Sequence, residues 1–427
     1  MTRPISRRRV LKTLSVGVGF WSFGVAPSRA DKSPNEKLNI ACIGVGNRGA
    51  ANVAGVRSEN IAYLCDVDDR QGGKTFQQYP KAKKYYDFRR LLDKEHKHID
   101  AVVVSTPDHT HAPATAMALQ LGKPVYCEKP LTHTVFEARR VAQLAQQAKV
   151  ATQMGTQIHA GENYRRVVEI IQAGTIGPVH EVHVWVAKAW GGGDRPKQTP
   201  PVPKTLKWDL WLGPAPYRPY HPAYVPFNWR RWWDFGNGTL GDMACHYMDL
   251  PFWALGLRHP ETIQAQRSPL HPETCPLGLQ VEYHYPARGN QPPVKLIWYD
   301  GNRIPKTLFG HKMPGAGVMF VGKEGQMYAN YSTYRLFPEE KFRGFEPPPR
   351  TIPRSMGHHR EWIHACKTGA STTCHFGYAG PLTEAVLLGV VAFRSGQKLR
   401  WNHQEFTTGN DQADRMLHKE YRSGWKL

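Results

Sequence analysis

The stretch Leu38–Val56, "LNIACIGVGNRGAANVAGV", decides the fold. Its first part is an unbroken apolar run closed by glycine, which reads as a strand buried on both faces. From Asn47 the pattern is that of a helix start. Between the two stands Gly44-Val45-Gly46-Asn47-Arg48-Gly49, a G-x-G-x-x-G turn. Alone such a turn says little; between a strand and a helix it is a dinucleotide-binding signature. Glycines let the backbone approach a pyrophosphate, which rests on the helix N-terminus. Asp66 falls 20 residues past Gly46, at the end of the next apolar run "IAYLCDV". A carboxylate there accepts hydrogen bonds from the adenosine ribose hydroxyls. It repels a 2′-phosphate, and neighbouring Val67 and Asp68 add no positive charge, so NAD is expected over NADP.

Working outward, "DAVVVSTP" is a further strand, followed by the helix "HAPATAMALQLG" and the strand "KPVYCEKP". Apolar runs separated by helices, continuing to about Val150, predict a doubly wound parallel sheet, an α/β Rossmann domain. From about Gly177 the pattern changes. "PVHEVHVWV", "GLQVEYHY", "VKLIWYD", "GVMFVG" and "GQMYAN" are strand-like and lack regular intervening helices. They predict an α+β C-terminal domain with a large, mostly antiparallel open sheet. The division expected is 1–30 as a leader, 31–158 as the NAD-binding domain and 159–427 as the substrate-binding and oligomerisation domain. Two proline-rich stretches, Asp194–Pro226 and Phe337–Arg354, are long enough to act as lids or binding segments.

Two short motifs carry the chemistry. "CEKPLTHTVFEARRV" puts Glu128 and Lys129 at the end of what reads as the last strand of the nucleotide domain, where open α/β sheets bind their ligands. "GTLGDMACHYMDLPFWALG" puts Asp242 and His246 four residues apart, on one face of a helix. Oxidising an alcohol by hydride transfer leaves a proton to remove, and an imidazole suits that task.

With "TPDHTHAP" and the glycine turn, these motifs make the chain resemble the glucose–fructose oxidoreductase and inositol dehydrogenase (Gfo/Idh/MocA) family over nearly its whole length after the leader. The resemblance implies that His246 is the general base, with Asp242 its partner or a substrate ligand. Lys129 would hold the reacting oxygen beside the nicotinamide. It also implies that Gly44, Gly46, Asn47, Arg48, Gly49, Asp66, Thr106, His111, Glu128, Lys129 and Gln157 line the cofactor. Asp108 departs from the family pattern, where asparagine is commoner. In "QMGTQIHAGENYRR", Gln157 and His159 are candidates for contact with nicotinamide or sugar. Family members associate through the open face of the second sheet, implying a dimer or tetramer.

Six of the 13 tryptophans lie between Trp208 and Trp253. They read either as core or as a platform for the apolar faces of a sugar, with Arg230, Arg231 and Trp232 meeting hydroxyls or an acidic substituent. No ligand spacing specifies a metal, although Asp242, His246 and one of His183 or His221 would be the set to watch.

The N-terminus reads as a signal peptide. Arg3, Arg7, Arg8 and Arg9 precede an uncharged run from Thr13 to Ser28 and a small-residue site ending at Ala30. Ser6-Arg7-Arg8-Arg9-Val10-Leu11-Lys12 resembles the twin-arginine motif, which exports folded proteins, so a periplasmic location is expected. The run is short for a span, and stable membrane insertion is not expected. Removing Met1–Ala30 lowers the formal charge from +21 to +15, a field that favours anionic partners. No basic run or nucleic-acid motif points to DNA or RNA. Folding before export means folding in a reducing compartment, which argues against a disulfide framework among the seven cysteines and leaves at most a late bridge such as Cys366–Cys374.

The function expected is therefore NAD-dependent oxidation of a hydroxyl on a sugar, polyol or glycoside, with tightly held cofactor. A first alternative is a glycosidase that oxidises its substrate transiently and needs a second acid or base, for which Tyr164 and His159 stand as candidates. A second is a sugar-binding protein without catalysis.

Overall fold

A computed structural model describes residues 36–427 apart from Arg267 and Met313; the leader expected at 1–30 lies outside the described residues. The first domain builds in chain order β1 (Asn39–Ile43), α1 (Arg48–Gly55), β2 (Asn60–Cys65), α2 (Asp69–Gln78), β3 (Lys83–Tyr85) and α3 (Phe88–Glu95). It continues with β4 (Ala101–Val104), α4 (His111–Gln120), β5 (Val125–Cys127), α5 (Val135–Ala148) and β6 (Thr152–Met154). The strands form one parallel sheet in the order β3-β2-β1-β4-β5-β6. The order in which strands are added reverses between β1 and β4, which opens a crevice at their carboxyl ends. β5 is not the last strand, as "KPVYCEKP" suggested; the three-residue β6 adds an edge too short to show in the sequence pattern.

Alternation along β1 shows how both faces are covered. Ile40 and Cys42 point into a core with Val53 and Val56 of α1, while Ala41 and Ile43 face the core shared with α3, α4 and α5. Aspartates start two of the helices: Asp68 accepts from the Arg70 N–H, and Asp87 from that of Arg89. A capping box between Thr134 and Glu137 starts α5.

The second domain contributes α6 (Glu162–Gln172), β7 (Val179–Val186), α7 (Trp208–Leu212), α8 (Gly238–Tyr247), α9 (Asp249–Leu255), β8 (Thr262–Ala265), β9 (Gln280–Tyr285) and β10 (Val294–Asp300). A small hairpin, β11 (Thr307–Leu308) with β12 (His311–Lys312), precedes β13 (Ala316–Gly322), β14 (Gln326–Ala329) and β15 (Tyr334–Phe337). The chain ends through α10 (His358–Thr368), α11 (Phe376–Ser395), β16 (Leu399–Arg400) and α12 (Asp411–Arg415). Eight strands form a sheet in the order β15-β14-β13-β7-β10-β9-β8-β16, antiparallel except at β7/β10. Val182 and Val184 of β7 and Val281 and Tyr283 of β9 face the core shared with α8, α9 and α11. On the other face Trp185, Ile297, Tyr299, Met319, Tyr328 and Phe337 form a separate apolar strip.

The C-terminal helices return to the first domain. Trp362 and Ile363 of α10 complete the core beside β1 and α1. α11 is apolar and long enough to pass for a membrane span, but it is buried in the protein core. Gly380 on α11 lies where a Cβ would come 2.8 Å from that of Ala142 on α5, so the two helices touch closely. Arg139 and Glu384 bind each other through two hydrogen bonds, at 2.7 and 2.8 Å, between the same helices. All seven cysteines are free, Cys366 and Cys374 included.

Candidate active site

A cleft of about 690 Å³ runs from the glycine turn to Asp242, Met243 and His246 of α8. Its dinucleotide half is built of backbone. Gly44 has φ +77°, and a Cβ there would lie 2.7 Å from the Ser105 carbonyl carbon. A Cβ at Gly49 would lie 2.0 Å from the Gly44 oxygen, so the turn and α1 fit only as glycine. The Asp66 carboxylate accepts from the Val45 N–H at 2.8 Å and the Gly46 N–H at 3.2 Å, tying the turn to the end of β2. Burial pushes the Asp66 carboxyl up from its ordinary value, against these hydrogen bonds. No side chain caps α1, whose first residues Asn47 and Arg48 line the cleft. This cradle fits a dinucleotide: close-approach glycines, an open helix N-terminus and a carboxylate at the ribose end.

Glu128 forms the middle of the floor. It accepts from Arg48 Nε at 3.0 Å, Asn52 Nδ2 at 2.9 Å and Gln157 Nε2 at 2.8 Å. Burial opposes its ionisation, but the charges of Arg48 and Lys129 and these donors hold it down at about 2. Next to it Lys129 Nζ reaches across to α8, donating to the Asp242 carboxylate at 2.6 Å and its carbonyl at 2.7 Å.

Asp242 gathers the substrate half. Besides Lys129 it accepts from Arg230 Nε at 3.1 Å and Trp190 Nε1 at 2.8 Å, with Lys188 Nζ at 3.8 Å. Burial opposes its charge too, yet Lys129 and Arg230 hold the carboxyl well below the usual carboxylate range. The resemblance makes Asp242 either the partner of His246 or a substrate ligand. The two share the helix face, but the carboxylate turns to the cations and the indole, and His246 Nδ1 finds no partner among the described residues. Burial, with Lys129 adding to it, pushes the imidazole down to about 3, so the ring is neutral at physiological pH. The opposite shift falls on Asp108. Burial drives its carboxyl up to about 8, against Arg230 and Lys129, so it keeps its proton at pH 7.

Lys129, Asp242, His246, Thr106, His111, Gln157 and Arg230 all line this cleft, with Gly44, Gly46, Asn47, Arg48, Asp66 and Glu128. His111 does so with both ring nitrogens occupied, at 2.8 Å from the Pro130 carbonyl and 2.7 Å from that of Thr106. It holds two cleft loops together instead of reaching into the space. Three substrate candidates, Arg231, Tyr164 and Trp232, lie outside the cleft lining, the last two as core aromatics. Tyr164 is fully buried on α6 and donates to the His246 carbonyl at 3.1 Å. Trp232 is buried among Trp208, Trp211, Tyr224 and Phe235, away from the cleft. In both cases an aromatic body was better used in the core, and Trp229, Trp211 and Phe227 supply the aromatic wall instead. His159 lies outside the cleft, stacked on Trp253 with Nδ1 at 2.9 Å from both Asp249 oxygens. His183 bonds Glu181 and Tyr299, and His221 accepts from the Ala223 N–H, so neither joins Asp242 and His246 in a metal site.

Lys188, Trp190 and Tyr331 were not singled out from the sequence. The first two follow the apolar run of β7 and precede three glycines, a signal that puts them just past the end of that strand. Tyr331 follows β14 and carries no such signal. Of the proline-rich stretches, the first walls the cleft. The Lys207 N–H donates to the Val67 carbonyl and the Asp69 N–H to that of Thr205, while Val225, Pro226 and Phe227 face the space. The second packs on α6, where the Thr351 and Ile352 N–H groups donate to Glu169, and does not line the cleft.

Comparison with known proteins agrees with this geometry. Residues 165–427 match the oxidoreductase-family C-terminal α/β domain, and residues 38–156 match the oxidoreductase-family NAD-binding Rossmann fold. Inositol 2-dehydrogenase of Salmonella typhimurium is 28% identical over 155 residues, covering 34% of this chain and 45% of the relative. The chain thus spans less than half the length of that curated relative. Among solved structures, GenD2 from gentamicin A biosynthesis in complex with NAD superposes with a TM-score of 0.59 at 20% identity, covering 87% of this chain and 98% of that one. The WlbA dehydrogenase of Bordetella pertussis, in complex with NADH and UDP-GlcNAcA, gives 0.59 at 16% identity over 86% and 99%. At these identities the two structures speak for the fold. Both halves of the cleft and both domains match family models, and the chain belongs to the Gfo/Idh/MocA oxidoreductase family, its first domain being an NAD-binding Rossmann domain.

Proposed function

We propose that the protein oxidises a hydroxyl of a sugar, polyol or glycoside, using NAD held in the cleft. The observation that carries this reading is the convergence of Lys129, Asp242 and a neutral His246 at the nicotinamide end of a dinucleotide cradle. Bound NAD supplies the hydride acceptor. The residues supply the rest. Asp242 fixes the Lys129 ammonium, which donates to the reacting oxygen and favours its anionic form. The ring of His246, which lines the cleft, accepts the hydroxyl proton, for which the neutral form is the competent one. Asp66 at the ribose end, followed by Val67 and Asp68, supports NAD over NADP.

Reduction of the bound nicotinamide on addition of members of a sugar and polyol panel tests the reading. If joint replacement of Lys129, Asp242 and His246 leaves every such activity unchanged, the protein only binds sugar.

One observation favours the redox-neutral glycosidase as a second reading. Such an enzyme needs a further proton donor, and Asp108 is a buried, protonated carboxyl in the cleft wall, whereas Tyr164 and His159 are not in the cleft. Release of the aglycone from aryl glycosides without added NAD, with washout of a sugar C–H in heavy water, identifies it.

Export in the folded state gives the bound cofactor a reason, since a periplasm has no NAD pool. We take the protein to be exported with NAD in place and to recycle it there. A dissociation constant of nanomolar or below, roughly −12 kcal/mol, is what retention through dilution requires. The cleft wall formed by the first proline-rich stretch is suited to slowing release. We take the protein to assemble as a dimer or tetramer, as the family resemblance implies; the apolar strip on the second sheet is itself buried within the chain.

A further inference from the structure

Charge in the substrate half of the cleft does not balance. Three cations face one carboxylate: Lys129 at 2.6 Å, Arg230 at 3.1 Å and Lys188 at 3.8 Å from Asp242. Lys129 takes the closest position and makes a second bond to the Asp242 carbonyl. Lys188 is left with a long approach to the carboxylate and a contact to the Met243 sulfur at 3.3 Å, a weak acceptor. Arg230 uses Nε for Asp242 and Nη1 for the Phe227 carbonyl at 3.3 Å, and its guanidinium lies 4.2 Å over the Trp229 ring.

The other acids of the cleft do not neutralise this end. Glu128 is committed to Arg48, Asn52 and Gln157, and Asp66 to the glycine turn. Asp108 is only 3% exposed, and in so buried a place the uncharged acid is the cheaper form. Its upward shift to about 8 agrees. Oxidised nicotinamide adds a further positive charge. Lys129 and Arg230 are largely buried and Lys188 is half-exposed, so holding the first two beside the third is unfavourable unless an anion joins them.

We propose that the substrate carries a carboxylate, received by Lys188 and Arg230, so that the preferred class is a sugar acid, uronic or aldonic, and not a neutral sugar. Arg230 presents a planar donor edge backed by an aromatic ring, which suits a carboxylate, and Lys188 adds a point charge beside it. The reacting hydroxyl then lies toward Lys129 and His246. This inference rests on the cleft being the sugar site of the proposed oxidation, although it concerns binding and is tested by binding.

The experiment measures affinities of the NAD-loaded protein for matched pairs, glucuronate against glucose, galacturonate against galactose and gluconate against glucitol, with glucose 6-sulfate as a separate arm. The same pairs are then measured with Lys188→Met. At least one acid binds about 10-fold or more tighter than its neutral partner, and Lys188→Met lowers that ratio by about 10-fold, the effect of one charged hydrogen bond. Equal affinities within every pair, no binding by any acid, or a ratio unmoved by Lys188→Met each overturns the proposal. Tighter binding of the sulfate than of every carboxylate also overturns it. Preferential acid binding without nicotinamide reduction leaves the proposal standing and removes the oxidation reading; turnover of neutral sugars with no acid preference does the reverse.

Discussion

The two halves of the cleft are built by opposite means. The dinucleotide half uses main chain from one contiguous segment, with Gly44, Gly46 and Gly49 held to β2 by Asp66. The substrate half uses side chains brought from separate places: Lys129 after β5, Lys188 and Trp190 after β7, Arg230 before α8, and Asp242 and His246 on it. A backbone site tolerates almost no change at its glycines but has little chemistry to vary. A side-chain site can be re-tuned one residue at a time, because each group is held by a different element.

That difference sets the order of expected effects. Gly49→Ala should be the most damaging, since its Cβ would sit 2.0 Å from the Gly44 oxygen in a rigid turn. The variant should purify with little nucleotide, NAD binding falling by roughly 10³-fold or more, as ultraviolet spectra of the released cofactor will show. Full NAD content would mean the turn is looser than its contacts indicate. Asp66→Ser comes next. It removes the ribose carboxylate and two ties to the turn, so NAD affinity should fall by roughly 10²-fold while discrimination against NADP relaxes. Unchanged preference would place the 2′-position elsewhere.

Asp108→Asn sharpens the comparison through pH. Burial raises this carboxyl from 3.8 to about 8 in the folded protein, with Arg230, Lys129, Asp242 and Lys419 as the charges that act on it. Its contribution to stability is therefore complete below its ordinary pKa and is lost as pH rises through about 8. Asparagine is neutral throughout, so the variant should melt a few degrees above the native protein at about pH 9, the gap closing toward about pH 4. Any acid preference in the native protein should weaken above about pH 8 and stay level in Asp108→Asn. The smallest effect should come from Tyr164→Phe. It deletes one bond to the His246 carbonyl, costing about 1 kcal/mol in stability and leaving turnover within a few-fold. A collapse of turnover would restore Tyr164 as a reacting group.

The same contrast explains what could be read from the sequence. The glycine turn, Asp66 and the strand–helix alternation are local, and the pattern 38–56 predicts β1, the turn and α1 nearly to the residue. Glu128-Lys129 and the Asp242–His246 spacing are legible as motifs, but not the fact that Asp242 serves Lys129 instead of His246. That choice follows from where β7 and the Arg230 loop end, which only the packed sheet decides. Tyr164 and Trp232 were misread because an aromatic residue near a motif looks the same whether it lines a cleft or fills a core. α10 was read with the second domain, yet its Trp362 packs in the first, a long-range return without local signature.

The central claim is that Lys129, held by Asp242, acts on the reacting oxygen and not on cofactor retention. It is tested by single-turnover reduction of bound nicotinamide in native protein and in Lys129→Met, each with its nucleotide content measured. The account predicts unchanged NAD content and a rate lower by roughly 10³-fold, the loss of a charged donor to a developing oxyanion. A variant that reduces its nicotinamide at the native rate, or that has simply lost its cofactor, would contradict it.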